Sequence, residues 1–389
     1  MKRALRILCV SAMALAMTLV LAACNGADGS GQGGNKPGKA EVVAFDSAFR
    51  SPDGTMFVGI PSTFPFMEVE PAGDASMYWL DVPGTTPEKK ADYFAIYGGK
   101  LYFTEFIHPT DAAARRTCLY VAEPNGDNPT ILVDDVAAST KPVIVGGVLY
   151  YLTYRPDEGQ QIYTYESDNG GEVKASDAMM CTTVLKSFDL KTGKTATMDL
   201  CRTVAAQFLG ATADRLFVSM EIRDNSAKCI SLALDFSDAR EFTVPGFPVG
   251  VNAAGNIIIR AYENDAYVWS ILDAEGNVLR SDRTLGYSAT FSMSRYLIFD
   301  DVDGESVVVV DTLEQADVYR QYRIDDWSIS RSYWYFDDQT RTVYFIGRHS
   351  LFPGVYQGYG RDEDYSVFMV DDAGRVLRAL AYQQLGGIR

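Results

Sequence analysis

The chain has 389 residues, 51 of them acidic against 35 basic, for a formal net charge of −16. A surface this acidic repels phosphate backbones and excludes nucleic-acid binding. With 47% hydrophobic residues, and 12% aromatic, there is ample material for a large core, and the aromatic weighting favours strands over helices.

The N-terminus reads as a targeting segment. Lys2, Arg3 and Arg6 give a basic start, a mostly apolar run follows over residues 7–23, and Leu21-Ala22-Ala23 sets small residues before Cys24. This order resembles the bacterial lipoprotein signal. The resemblance implies that residues 1–23 are removed and that Cys24 is acylated as the new N-terminus. Two or more acyl chains would anchor the protein stably to a membrane. Asn25 stands where the usual inner-membrane retention cue has Asp, which leaves an outer-membrane or a Gram-positive surface location. The expected address is extracytoplasmic, at the cell surface or in the periplasm. An ordinary secretory signal or a membrane anchor is the other reading, but the apolar run is short for a spanning helix. Loss of the segment removes three basic residues and no acid, taking the charge from −16 to −19. The membrane contact therefore has to come from lipid.

Residues 24–40 form the next piece. Positions 25–40 hold six glycines and almost nothing apolar, so they cannot bury enough surface to fold and read as a flexible tether. From residue 41 to 389 no long stretch carries apolar residues at helical spacing, and an all-β domain is expected.

A repeated unit organises that domain, clearest over residues 98–127. Seven apolar triplets mark one strand of each unit: Met56-Phe57-Val58, Leu101-Tyr102-Phe103, Leu149-Tyr150-Tyr151, Leu216-Phe217-Val218, Ile257-Ile258-Ile259, Leu297-Ile298-Phe299 and Val343-Tyr344-Phe345. Their spacing, on the order of 40 to 50 residues with one larger gap, suits four-stranded propeller blades. The next strand of each unit is expected to end on an acid: Asp81, Glu123, Asp189, Asp235, Asp273, Asp311 and Asp371. A glycine follows soon after most of them. Asp bonds backbone N–H groups of a following turn and Gly supplies positive φ there, so these acids read as turn caps rather than catalysts. Apolar runs before Gly98-Gly99, Gly146-Gly147 and Asp337-Asp338 read as innermost strands. The expectation is a β-propeller of seven four-stranded blades; an irregular first unit would leave six. A latch strand joining first blade to last is expected from residues 40–52 or from the tail after 381.

These repeats resemble those of bacterial extracytoplasmic β-propeller lipoproteins, a broad group that includes TolB-like propellers. The resemblance covers nearly all of residues 41–389 and implies a binding or scaffolding role. It carries no catalytic residues to this chain.

Departures from the repeat locate a candidate site. The loop after the aligned strand is short in units four, five and six, and long in unit seven (348–364), unit one (61–75), unit two (106–117) and unit three (155–181). In a closed ring those four are contiguous. They carry aromatic residues where a plain connector would be polar: Phe64 and Phe66, Phe106 with His108, Tyr163 and Tyr165, and Phe352, Tyr356 and Tyr359 with His349. Aromatics on loops give large contact area at low entropic cost, suited to a glycan or to an envelope protein.

Other chemistry finds less support. No CxxC spacing points to a zinc site, the start of a calcium-like loop at Asp300-Asp301-Val302-Asp303-Gly304 lacks its distal Glu, and no P-loop or dinucleotide fingerprint appears, so neither metal nor cofactor is expected. With only two histidines, no nucleophile motif accompanies either. A carbohydrate-active hydrolase or lyase using paired carboxylates on the long-loop face is the enzymatic alternative, and a plain structural envelope component is the third. Apart from Cys9 and Cys24, four cysteines remain. Cys181 and Cys201 flank an expected hairpin turning near Thr192-Gly193 and are candidates for a disulfide. Cys118 and Cys229 sit at equivalent positions of non-neighbouring units, which argues against a bridge between them.

Overall fold

The computed structural model describes residues 40–381, apart from 47, 51–55, 61–63, 70–76, 80–89, 108–115, 125, 138–139, 157–180, 203–205, 224–225, 264–265, 285–289, 293, 302–305, 323–328, 350–364 and 371–375. The described part is all-β. A short strand, β1 (Val42–Ala44), precedes seven sheets, each built from four consecutive antiparallel strands.

The first sheet holds β2 (Ala48–Arg50), β3 (Met56–Ile60), β4 (Phe64–Val69) and β5 (Met77–Trp79). The second holds β6 (Lys90–Tyr97), β7 (Lys100–Ile107), β8 (Arg116–Ala122) and β9 (Thr130–Val136). The third holds β10 (Val143–Val145), β11 (Val148–Pro156), β12 (Cys181–Asp189) and β13 (Thr195–Cys201). The fourth holds β14 (Gln207–Ala211), β15 (Arg215–Arg223), β16 (Ser226–Ala233) and β17 (Arg240–Pro245). In the fifth come β18 (Phe247–Val251), β19 (Ile257–Glu263), β20 (Ala266–Leu272) and β21 (Val278–Thr284). The sixth has β22 (Thr290–Ser292), β23 (Tyr296–Asp300), β24 (Ser306–Asp311) and β25 (Ala316–Tyr322). The seventh has β26 (Ile329–Asp337), β27 (Thr342–His349), β28 (Tyr365–Val370) and β29 (Val376–Ala381).

The sheets stand as a propeller. Their first strands gather at one axis: β2 approaches β6, β10 approaches β14, β14 approaches β18, β22 approaches β26, and β26 returns to β2. Apolar clusters lie between successive sheets. Leu152 and Leu185 of the third sheet pack with Leu216 and Val218 of the fourth. Phe217 and Val244 meet Ile257 and Ile259 of the fifth, Trp269 and Ile271 meet Phe299 and Val308 of the sixth, and Ile298 and Val309 meet Trp334 and Phe345 of the seventh. A middle strand covered on both faces reads as a continuous apolar run rather than an alternation. Accordingly Val307, Val308, Val309 and Val310 are all fully buried, each burial worth about 1.5–3 kcal/mol against exposure. Outermost strands such as β13 and β21 are mostly exposed and polar.

All seven apolar triplets fall on the second strand of their sheet, as the repeat implies. The acids end the third strand or follow it within two residues in units two to six, while Asp371 of unit seven lies outside the described residues. Unit one is the exception. Its third strand is β4, so Phe64 and Phe66 stand in a strand rather than in a loop, and Asp81 comes after β5 and lies outside the described residues. The turn chemistry of the acids is as expected. Asp189 Oδ1 accepts from the N–H groups of Lys191 and Thr192, Asp273 Oδ1 from Glu275 and Asn277, and Asp311 Oδ1 from Leu313 and Glu314. Asp300 closes β23, Asp301 bridges to Thr284, and the rest of the calcium-like stretch lies outside the described residues. The Asp301 carboxylate accepts from the Ser306 N–H and meets the Arg320 guanidinium.

Among the described residues no strand latches the first sheet to the last, and the tail after 381 lies outside them. The four strands of the first sheet all come from residues 48–79 and those of the seventh from 329–381. The N-terminal strand goes elsewhere: β1 pairs antiparallel with β10 and also approaches β6 and β14, so it lies along the axis. Val42 faces Val145, and the Gly146 N–H reaches the Glu41 carbonyl at 2.9 Å, which puts the start of β1 beside the tight β10–β11 turn.

A recurrent β-bulge marks the first strands. It falls between Ala91 and Tyr93 in β6, Phe208 and Gly210 in β14, Pro248 and Gly250 in β18, and Ser332 and Trp334 in β26. A bulge bends its strand and increases local twist, which helps the innermost strands follow the axis. Gly250 makes the close approach there: a Cβ would lie 2.3 Å from the Phe291 ring of the next sheet.

Candidate functional site

Two places on the described framework could receive a ligand, the axis and the face where the long connections emerge. The axis holds a cavity of about 40 Å³, with Phe45, Phe208, Val249 and Phe291 among its apolar walls and Asp46 and Lys141 at its polar side. On this measure one water needs about 10–15 Å³, so the cavity suits ordered water or a small ion rather than an organic molecule.

Asp46 is the centre of that polar side. It is only 4% exposed. Its backbone exchanges hydrogen bonds with Phe94 of β6, the Phe94 N–H at 2.8 Å and its own N–H at 2.9 Å. Its carboxylate accepts from Lys141 Nζ at 3.0 Å and from the Ser292 hydroxyl at 2.9 Å. The Lys141 ammonium also stands 5.4 Å from the centre of the Tyr93 ring. These contacts tie the second, third and sixth sheets to the segment following β1. A buried carboxylate so fully engaged acts first as a structural tie, because a charge taken from water must regain its hydrogen bonds.

The second place is the face on which second strands end and third strands begin. Strand boundaries give the length of chain in each of these connections. Residues 157–180, 350–364 and 108–115 lie in those of the third, seventh and second sheets, against two residues each, 224–225 and 264–265, in the fourth and fifth. The first sheet corrects the expectation of four contiguous long loops. Only residues 61–63 separate β3 from β4, so the first sheet interrupts the row between the seventh and the second.

The residues expected to form the site divide accordingly. Phe64 and Phe66 belong to β4, Phe106 lies near the end of β7 and His349 closes β27. His108, Tyr163, Tyr165, Phe352, Tyr356 and Tyr359 lie outside the described residues, as does Cys24. The structure therefore places the framework ends from which these aromatics depart. Three connections leave from one face, which is the geometric part of the expectation.

Among the described residues no group of three or more His, Cys, Asp or Glu side chains is placed to hold a metal ion. All four remaining cysteines are present as thiols. Cys118 faces Glu105 in the second sheet and Cys229 faces Ser219 in the fourth, with the third sheet between them. Burial pushes the Cys229 thiol up to about 11, although the Ser219 hydroxyl works against it. Such a thiol is inert.

Sequence reasoning missed Asp46, Lys141 and Ser292. Nothing in the repeat singles them out, since each sits at or beside an innermost strand too short to show a pattern. An isolated acid just after an apolar triplet at the domain's start was the one available signal.

Among solved structures, an acylaminoacyl peptidase in complex with a chloromethyl ketone shares 10% identity, with a TM-score of 0.48, over 88% of this chain and 53% of that one. A Pyrococcus horikoshii acylaminoacyl peptidase shares 11% over the same proportions, with a TM-score of 0.47. The β-propeller domain of the Trilobed protease from Pyrococcus furiosus shares 10% over 73% of this chain and 82% of that domain, with a TM-score of 0.41. This chain thus spans about half the length of the first two, and the likeness is one of fold. No protein-family model matches the chain, and no curated protein sequence matches it.

Proposed function

We propose that the chain is a lipid-anchored, extracytoplasmic binding or scaffolding module whose ligand or partner docks on the face of the long connections. The observation that carries this reading is the asymmetry of those connections. Twenty-four residues lie between β11 and β12 and fifteen between β27 and β28, where the fourth and fifth sheets use two. A propeller needs only a tight turn at such a point, so the added chain, which carries Tyr163, Tyr165, Phe352, Tyr356 and Tyr359, is material beyond what the fold requires. The axis, filled by β1, leaves too little room to compete as an organic-ligand site. Lipid on Cys24 and the tether over residues 25–40 would hold this module at a membrane surface. The activity of the peptidases that share the fold stays with those proteins.

The test is thermal unfolding of the protein from Lys39 onward, with a panel of cell-wall fragments, oligosaccharides and peptides. A ligand at about a hundred times its dissociation constant adds roughly 2.7 kcal/mol, enough to raise the midpoint visibly. The comparison variant carries Phe352→Ser, Tyr356→Ser and Tyr359→Ser. A rise in the parent that vanishes in the variant supports the reading. An equal rise in both would place the ligand elsewhere and overturn it for the seventh sheet.

A further inference from the structure

The β12–β13 hairpin brings two thiols to one face of the third sheet. Residues of this hairpin pair in a constant register from Phe188↔Thr195 to Val184↔Asp199. Continued without change, that register would set Leu200 against Thr183 and turn Cys201 to the opposite face. A bulge intervenes, and Thr183 pairs with Cys201 instead. Since residues two apart on a strand share a face, Cys181 lies on the same side as Thr183 and therefore as Cys201. Tyr154 faces Thr183 from β11 and completes the row. Both thiols bear on its hydroxyl, which burial first and then the two sulfurs push up to about 12.

We propose that Cys181 and Cys201 are joined by a disulfide in the exported protein, fastening the outermost strand of the third sheet at the root of its longest connection. The proposal rests on the extracytoplasmic reading above, because only an oxidising compartment sustains such a bond. Diagonal neighbours on an antiparallel pair lie about 7–8 Å apart at Cα and somewhat less at Cβ, so closure draws the strand end in by roughly 2–3 Å. Cys201 can make that movement, as it is the last residue of β13 and sits beside the bulge. One turn of strand earlier, Asp199 is held by both guanidinium nitrogens of Arg155 at 2.6 and 2.9 Å on the other face. That fork fixes β13 and leaves its end to adjust. In forming the bond each thiol loses a proton, and the electron pair passes to the disulfide of a thiol–disulfide exchange donor, which leaves as a dithiol. Cys118 and Cys229 stay buried thiols and serve as internal references.

The experiment uses the full chain exported with its own leader, quenched in acid, alkylated under denaturing conditions without reductant and mapped by mass spectrometry. The expected result is a linked Cys181–Cys201 peptide pair, two hydrogens lighter than the separate peptides, with Cys118 and Cys229 alkylated. Reductant should lower the thermal midpoint of this material by about 2–4 °C and leave a Cys201→Ser variant unmoved. Alkylation of both Cys181 and Cys201 in exported protein overturns the proposal. A second arm, reduced protein incubated with oxidised glutathione, then shows why. Bridging there means that the compartment reading failed, and no bridging means that the geometry did.

Discussion

Ser292 donates its hydroxyl to the carboxylate of Asp46 at 2.9 Å, across 246 residues of sequence. The same carboxylate receives the Lys141 ammonium, so one side chain ties the start of the domain to its third and sixth sheets. Asp46→Ala should cost about 2–3 kcal/mol, because Lys141 and Ser292 both lose a partner. Lys141 is 38% exposed and can turn partly to water, which keeps the loss below that of a fully buried pair. Ser292→Ala should cost about 1 kcal/mol, and the double change should cost less than the sum of the two. Urea unfolding of the three variants measures all of this; strict additivity would show that the hydroxyl and the carboxylate do not act together.

Close approach at the axis gives a second expectation. An added Cβ at Gly250 would fall 2.3 and 2.6 Å from two carbons of the Phe291 ring, whereas one at Gly98 meets nothing within 4 Å. Gly250→Ala should destabilise by about 1–3 kcal/mol through overpacking. Combining it with Phe291→Leu should recover part of that loss. Gly98→Ala should cost about 1 kcal/mol from its positive φ alone, and shortening Phe291 should not help it.

Alkaline pH should unfold the protein by way of its buried phenols. Burial above all holds Tyr150, Tyr154 and Tyr296 up at about 12, from an ordinary value of 10.0. Tyr151 is raised too, by burial and by the Asp135 carboxylate to which it donates. A folded-state value above the unfolded one means stability that is complete below pH 10 and lost as pH rises toward 12. Denaturant midpoints measured from pH 8 to 12 should therefore fall across the upper half of that window. Tyr150→Phe, which leaves the Leu234 carbonyl without its phenol donor, should soften the fall while lowering stability at neutral pH.

The acid limb runs the other way. Burial raises the Asp311 carboxyl, but the Arg295 guanidinium and the N–H groups of Leu313 and Glu314 outweigh it and hold the group below its usual value. Stability from this group is present above the ordinary carboxylate range and lost as pH falls through the lowered folded value. Asp311→Asn should destabilise at pH 7 and flatten the stability curve below about pH 4. If both proteins lose stability in parallel on acidification, the acid sensitivity lies in other carboxylates.

Much of this architecture was legible beforehand, for reasons visible in particular residues. Leu297-Ile298-Phe299 and its counterparts in the second to fifth and seventh sheets are buried on both faces, so apolar runs without alternation were a faithful signal. Asp273 and Gly276 mark their turn because Asp caps the N–H groups and Gly takes φ +86°. Unit one was misjudged because Phe64–Val69 carries a proline and a glutamate, which made a strand look like an aromatic loop. The bulges were invisible, since Phe208-Leu209-Gly210 looks like any apolar strand until its partner's register is known. The pairing of β1 with β10 was equally hidden: three small aliphatic residues specify an edge to fill without saying which.

The course of β1 also constrains the order in which the molecule is made. Val42 leaves the ribosome about a hundred residues before Val145, its partner. Two whole sheets are synthesised while the axial strand waits, which gives this small element some of the highest contact order in the chain. Closing the circle first would oblige the leading segment to thread a finished ring, a route that natural connections avoid. The consistent history is that β1 docks when the third sheet appears, and that the remaining sheets assemble around a spindle already in place.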